Sequence, residues 1–205
     1  MRISAWFPTF IYYQSLNGKG GGRFNSELLK ECYQIRDFDE AGGKWSKLNY
    51  PGGYTSYASM AQLHRFSSTF GELEERINKH VAAFTRHLEM DLRNHRFEMT
   101  DCWVNIMPKQ VVHSLHLHPL SFISGTYYVS TPKNCSKIKF EDPRLSKFMA
   151  APPKLPNPKS HNRQFINFAA ETGKVILFES WLRHEVSANQ SDEDRVSISF
   201  NYHWL

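Results

Sequence analysis

Cysteine is scarce and unpatterned in this chain. Cys32, Cys102 and Cys135 are odd in number, far apart and free of any CxxC spacing. That argues against a thiolate zinc site or a disulfide framework and suits reduced thiols in a cytoplasm. No apolar run approaches the roughly 20 residues that span a bilayer. The start, Met1-Arg-Ile-Ser-Ala-Trp-Phe-Pro8, lacks the basic and apolar regions of a signal peptide, so a cytoplasmic location without a membrane partner is expected. Basic clustering is missing too. The net charge of +5 is dispersed, and the longest basic group is Arg93-Asn-His95-Arg96. Nucleic-acid binding asks for a basic stripe with interleaved aromatics, and is not expected. Gly18-Lys-Gly-Gly-Gly22 follows no apolar strand and lacks a GK[ST] ending, so it reads as a flexible connector rather than a phosphate loop.

What is present is an ordinary globular composition, 40% hydrophobic over 205 residues, enough for one domain spanning residues 1–205 with a full core. Trp6 to Tyr13 is aromatic and β-branched, as a strand would be. Asn25-Ser26 caps a helix running to about Phe38, and Gly42-Gly43 should end it. Residues 44–68 read as a long irregular segment. Thr69-Phe-Gly-Glu72 has the form of a capping box, and Phe70, Leu73, Ile77, Val81, Phe84, Leu88 and Leu92 follow at helical spacing.

After residue 96 the pattern becomes strand-like. Segments 97–107, 111–118, 122–130, 137–140, 164–168, 174–179, 185–188 and 195–203 are short and mostly separated by turn residues. Eight such strands predict a mainly β fold with N-terminal helices (α+β), a sandwich or jelly roll. The core would occupy roughly 97–205 and the helical support roughly 24–96. The proline-rich stretch from Asp142 to His161 is expected to be a loop that covers the mouth.

The chemistry concentrates in His113-Ser-Leu-His116-Leu-His118, with His184 and Arg195-Val-Ser197 far downstream. Residues two apart on a strand share a face, so His116 and His118 can grip one metal ion, and His184 can complete a three-point site from a neighbouring strand. Taken alone, the HxH pair reads equally well as hydrogen-bonded core histidines. His113, three before His116, should face the other way and be structural. Arg195, Ser197, Ser199 and Asn201 alternate with Val196, Ile198 and Phe200. Such a polar row is costly to bury without a ligand, and a dicarboxylate held by the Arg195 fork would satisfy it. The alternative is a solvated face of an edge strand. A metal beside a carboxylate clamp suggests an oxygenase that consumes a keto acid.

The runs His116-Leu-His118-Pro-Leu-Ser-Phe-Ile-Ser-Gly-Thr-Tyr127-Tyr128-Val129, Phe140-Glu-Asp-Pro-Arg144, Gly173-Lys-Val-Ile-Leu-Phe178, Trp181-Leu-Arg-His184 and Arg195-Val-Ser-Ile-Ser-Phe-Asn201 resemble the uncharacterised bacterial and phage branch of the 2-oxoglutarate- and Fe(II)-dependent oxygenases. The resemblance implies a double-stranded β-helix, cupin-like in form, with Fe(II) at its mouth and 2-oxoglutarate and dioxygen as cosubstrates. It implies that His116, His118 and His184 hold the iron and that Arg195, aided by Ser197, binds the distal carboxylate. Asn105 and Tyr127 or Tyr128, with Tyr127 preferred, would line the same pocket. The reaction implied is hydroxylation of an unidentified substrate with release of succinate and CO2.

The superfamily's usual HxD/E is here HxH, so an imidazole replaces a carboxylate in a set that ordinarily suits non-haem Fe(II). Two other functions stay open: a three-histidine cupin-like metalloenzyme that needs no keto acid, and a non-catalytic jelly-roll binding module. The sequence is compatible with a homodimer and does not define the oligomeric state.

Overall fold

The computed structural model describes residues 3–16 and 22–205. Apart from Gly22, the glycine-rich connector falls outside these residues. Two antiparallel sheets face one another. Strands β1 (Ile11–Ser15), β2 (Tyr54–Thr55), β3 (Phe97–Met107), β5 (Ile123–Ser130), β8 (Lys174–Glu179) and β10 (Arg195–Trp204) form the larger, in the order β1-β8-β5-β10-β3-β2. Strands β4 (His113–His116), β6 (Ile138–Glu141), β7 (Phe165–Phe168) and β9 (His184–Val186) form the smaller, in the order β4-β9-β6-β7. From β3 to β10 the chain crosses between the sheets at every step except the β6–β7 hairpin, which lies wholly in the smaller sheet, and that is the winding of a double-stranded β-helix.

Period-two alternation gives the larger sheet two unlike faces. Its outer face carries Val104, Ile106, Tyr127, Val175, Leu177, Val196, Ile198 and Phe200, packed against Leu28, Cys32, Ile35, Phe70, Leu73, Ile77, Val81 and Phe84 of the helices. These helices are α1 (Gly22–Phe38), α2 (Glu40–Asn49), α3 (Leu63–Phe66) and α4 (Ser68–His87). The α4 stripe is buried as its spacing predicts, although Ser67, not Thr69, caps it by accepting from the Phe70 N–H, and the helix stops at His87, short of Leu92. Between the sheets lies a second apolar cluster that includes Met107, Tyr128, Ile138, Phe140, Ile176, Phe178 and Leu182.

Two expectations fail around residue 42. Gly42-Gly43 does not stop a helix but lies inside α2, because the buried Asp39 starts a new one, accepting from the Gly42 N–H at 2.9 Å. Gly42 is needed there: a Cβ would fall 2.0 Å from the Asp39 carboxylate. Segment 44–68, expected to be irregular, holds the end of α2, β2 and α3. Asp39 also accepts from the Tyr54 hydroxyl at 2.8 Å, tying α2 to β2, the strand that pairs with β3 at the edge of the sheet. This tie carries Tyr50 into the space beside the inner face of the sheet. The opening strand is shorter than expected, Ile11–Ser15, and residues 3–10 before it are exposed.

Candidate functional site

Strands β4 and β9 are antiparallel neighbours with His116 and His184 as direct cross-strand partners. His118 follows the end of β4, fixed by its N–H to the Ser180 carbonyl at 3.0 Å. The three side chains converge so that one ligand atom of each lies within 4.8 Å of the others. The Nε2 atoms of His118 and His184 are 3.4 Å apart, close to the separation of two nitrogens that share one metal at bonds of about 2.1 Å.

Their tautomers are set by the backbone. Nδ1 of His116 donates to the Ser114 carbonyl at 2.7 Å, and Nδ1 of His184 to the Leu182 carbonyl at 2.9 Å. Each ring therefore turns an Nε2 lone pair towards the cluster, the arrangement that metal-binding histidines use. Burial, followed by the charge of the neighbouring His116, pushes His118 down to about 4 and His184 to about 2. The rings are thus neutral at pH 7, with lone pairs available. Phe178 packs on His184 with ring centroids 4.6 Å apart, and Phe140 flanks it at 5.8 Å. No carboxylate joins the group among the described residues; Glu185 instead pairs with Lys139 at 2.9 Å. This donor set fits a divalent transition metal.

The same cavity continues to Arg195, Ser197 and Asn105. Asn105 faces Ser197 across β3 and β10, and its side-chain N–H donates to the Ser199 hydroxyl at 3.1 Å, leaving its carbonyl oxygen without a partner. Arg195 is only 2% exposed. Its Nη1 donates to the Ser197 hydroxyl at 3.2 Å and approaches the Met107 sulfur at 3.4 Å, and its guanidinium lies 5.2 Å from the centre of the Tyr128 ring. None of the ion pairs among the described residues includes it. Its Nε, the Tyr128 hydroxyl and the Tyr50 hydroxyl are all buried without hydrogen-bond partners. Leaving a buried cation and its neighbouring donors unsatisfied is costly, and the ligand that answers all of them is an anion. The donors fit a carboxylate.

One sequence expectation is corrected outright. Tyr127 does not face this pocket. It belongs to the outer face of β5, where its hydroxyl donates to Asn25 Oδ1 of α1 at 2.9 Å. Its neighbour Tyr128 points inward, as alternation requires once Tyr127 is outside. Burial lifts the Tyr128 hydroxyl to about 12 against the opposing charge of Arg195, so it stays a neutral donor.

His113 is the second surprise. A register irregularity between His113 and His116 breaks the alternation that would turn it away. Its ring instead lines the cavity and stacks on His116, with centroids 4.5 Å apart and planes at 20°. Trp103 and Thr126 also line the cavity without having been singled out, Trp103 packing 5.8 Å from His118. Their inward position follows from the alternation of β3 and β5 once Asn105 is assigned to the inner face. The proline-rich stretch contains two single 3-10 turns, Leu145–Lys147 and Ser160–Asn162, and none of its residues lines the cavity.

Residues 101–201 match a protein family described as "Putative 2OG-Fe(II) oxygenase". No curated protein matches the chain. Among solved structures, a prolyl-4-hydroxylase from Pseudomonas putida is similar over 95% of this chain and 92% of its own, at 13% identity and a TM-score of 0.61. The α-ketoglutarate-dependent epimerase SnoN from nogalamycin biosynthesis is similar over 95% of this chain and 76% of its own, at 15% identity and a TM-score of 0.64. HygX from Streptomyces hygroscopicus, solved with nickel and 2-oxoglutarate bound, is similar over 95% of this chain and 82% of its own, at 14% identity and a TM-score of 0.61. The family match covers just under half of the chain, and the solved structures share its double-stranded β-helix fold.

Proposed function

We propose that the chain acts as a single-domain 2-oxoglutarate- and Fe(II)-dependent oxygenase of the hydroxylating kind. His116, His118 and His184 hold the metal. Arg195, with Ser197 and Tyr128, holds the distal carboxylate of 2-oxoglutarate, and Asn105 lies beside it. When bound, iron and the keto acid would supply the oxidising power, one oxygen atom of dioxygen ending in succinate as CO2 leaves and the other being inserted into a substrate C–H bond.

The chain's own part is binding, orientation and exclusion of water. Three neutral imidazoles cancel none of the charge of a divalent ion, and Arg195 adds one more positive charge. A dianion fits that field better than it would beside the usual carboxylate ligand. Phe178 and Phe140 close one side of the metal site with apolar surface, and Trp103 closes another. The fold does not select hydroxylation over other outcomes, since a hydroxylase and an epimerase share it.

The observation that carries the proposal is the buried, unpaired Arg195 in the same cavity as the three-histidine cluster. It also counts against a three-histidine enzyme without a keto acid, which has no use for a buried cation there, and against a purely structural role for the histidines. The test is succinate formation from 2-oxoglutarate with Fe(II), oxygen and ascorbate in the absence of substrate. The expected result is slow turnover that stops in His184→Ala and weakens strongly in Arg195→Ala. Iron binding with no succinate from wild type would contradict the reading.

A further inference from the structure

The connection between β6 and β7, residues 142–164, carries most of the chain's surplus charge. It holds five of the 25 Lys and Arg but one of the 20 Asp and Glu, which leaves 20 against 19 in the rest of the chain. A surplus that looks dispersed when only adjacent residues are compared is gathered on one loop. Its single acid is turned inward: the Asp142 side chain is 8% exposed and accepts from Nε and Nη2 of Arg144 at 2.9 and 2.8 Å. Lys147, Lys154, Lys159 and Arg163 are exposed, and none of the ion pairs among the described residues includes them. Apolar side chains stand between these cations. The Phe148 ring centre lies 6.0 Å from both the Arg144 guanidinium and the Lys154 ammonium, and Met149 and Leu155 are 95% and 80% exposed.

The strand that receives this loop is open. Strand β7 is the last of the smaller sheet and pairs with β6 alone. Asp142 donates to the Gln164 carbonyl, so the hydrogen-bonded pairs of the hairpin fall at 142 with 164, 140 with 166 and 138 with 168. The backbone N–H and C=O groups of Phe165 and Asn167 therefore face away from β6, and no described residue bonds to them. Edge strands are usually guarded by charge, proline or a bulge; Phe165-Ile-Asn-Phe168 has none of these and is blunted only by its brevity. Phe140 is the cross-strand partner of His184, so the loop leaves the sheet at the end that carries the metal site.

We propose that this loop and the β7 edge together dock an acidic polypeptide of a partner protein. The polypeptide adds to β7 as a further strand of the smaller sheet, with its carboxylates towards Lys147, Lys154, Lys159 and Arg163. A nucleic acid or an anionic lipid surface would answer the charges but not the open strand edge. A polypeptide answers the charges, the exposed apolar side chains and the backbone groups together. Docking needs neither metal nor keto acid, so the inference stands apart from the 2-oxoglutarate reading.

The test selects short random peptides, displayed on phage, on the metal-free wild type at low salt, and measures the enriched peptides by fluorescence anisotropy. Oligothymidylate and vesicles containing phosphatidylserine are titrated alongside. The enriched peptides are expected to be rich in Asp and Glu with apolar residues between them, and to bind more weakly as salt rises. Affinity should fall about tenfold in the double variant Lys154→Glu with Lys159→Glu. It should also fall about tenfold in Asn167→Pro, which removes an outward N–H and leaves the pairing with β6 intact. Amide exchange at Phe165 and Asn167 should slow when peptide is bound. Enrichment of no peptide, or of peptides without net negative charge, would overturn the proposal, as would binding indifferent to either variant. Oligothymidylate or vesicles binding more tightly than every selected peptide would overturn it in favour of a nucleic-acid or membrane surface. Both variants keep the three histidines and Arg195, so 2-oxoglutarate binding measured in them with zinc separates a failed docking surface from a failed oxygenase reading.

Discussion

Replacing Arg195 with methionine should make the ligand-free protein more stable and the ligand-bound protein less so. Arg195 has 2% of its surface exposed and no carboxylate partner among the described residues. Burying an ion costs several kcal/mol even after the surroundings relax. The hydroxyl of Ser197 returns about 1 kcal/mol and the Tyr128 ring about 1–2 kcal/mol, so about 1–3 kcal/mol of uncompensated desolvation remains. Methionine fills similar space next to Met107 without a charge. In a chain of this size about 1 kcal/mol shifts the melting temperature by about 2–4 °C. The metal-free variant is therefore expected to melt about 2–12 °C above wild type. With zinc and 2-oxoglutarate at about 1,000 times its dissociation constant, wild type gains about 4.1 kcal/mol and the variant gains almost nothing, so the order reverses. Differential scanning calorimetry on both proteins, with and without ligand, reads this directly. An Arg195→Met variant that is less stable without ligand and still protected by 2-oxoglutarate would refute the claim that Arg195 waits for an anion.

Other consequences follow from the same geometry. His184→Ala should lower metal affinity by more than the roughly 10- to 100-fold that loss of a metal ligand's hydrogen-bonded partner costs, read by chelator competition, with the far-ultraviolet spectrum unchanged. Tyr128→Phe should weaken 2-oxoglutarate binding about tenfold. Tyr127→Phe should leave binding alone and cost about 1 kcal/mol of stability through the lost bond to Asn25, as urea unfolding would show. His64, buried on α3 with neither ring nitrogen hydrogen-bonded, is held below its usual pKa by burial and by the neighbouring Arg65 charge. The unfolded chain then binds the proton first as pH falls below about 6.5. Stability should be fully present above that pH and decline below it, and His64→Leu should flatten the decline between pH 6.5 and 5 in urea unfolding.

Much of the β-helix can be read directly from residue patterns, because the central strands of the larger sheet have one face against the helices and the other towards the smaller sheet. Segments 97–107 and 174–179 coincide with β3 and β8, and the polar row from Arg195 to Asn201 lies on the inner face of β10. Alternation also places Tyr128 inside as soon as Tyr127 is seen to be outside, but the sequence alone offers no way to choose between them. His113 was hidden for a different reason. Its inward turn depends on an irregularity in β4, and a single extra residue in a strand leaves no compositional trace. Gly42-Gly43 misled because glycine ends a helix only when no better cap follows, and Asp39 begins α2 just upstream.

The measurement that bears most directly on the whole account is anaerobic titration of the metal-free protein with Fe(II) and then 2-oxoglutarate, followed by visible absorption, with Arg195→Ala alongside. The account predicts a saturable charge-transfer band from keto acid chelated to iron in wild type and a much weaker one at equal concentrations in the variant. Stoichiometric iron binding with no band at any 2-oxoglutarate concentration would contradict it, and would leave the three-histidine cluster to a chemistry that makes no use of Arg195.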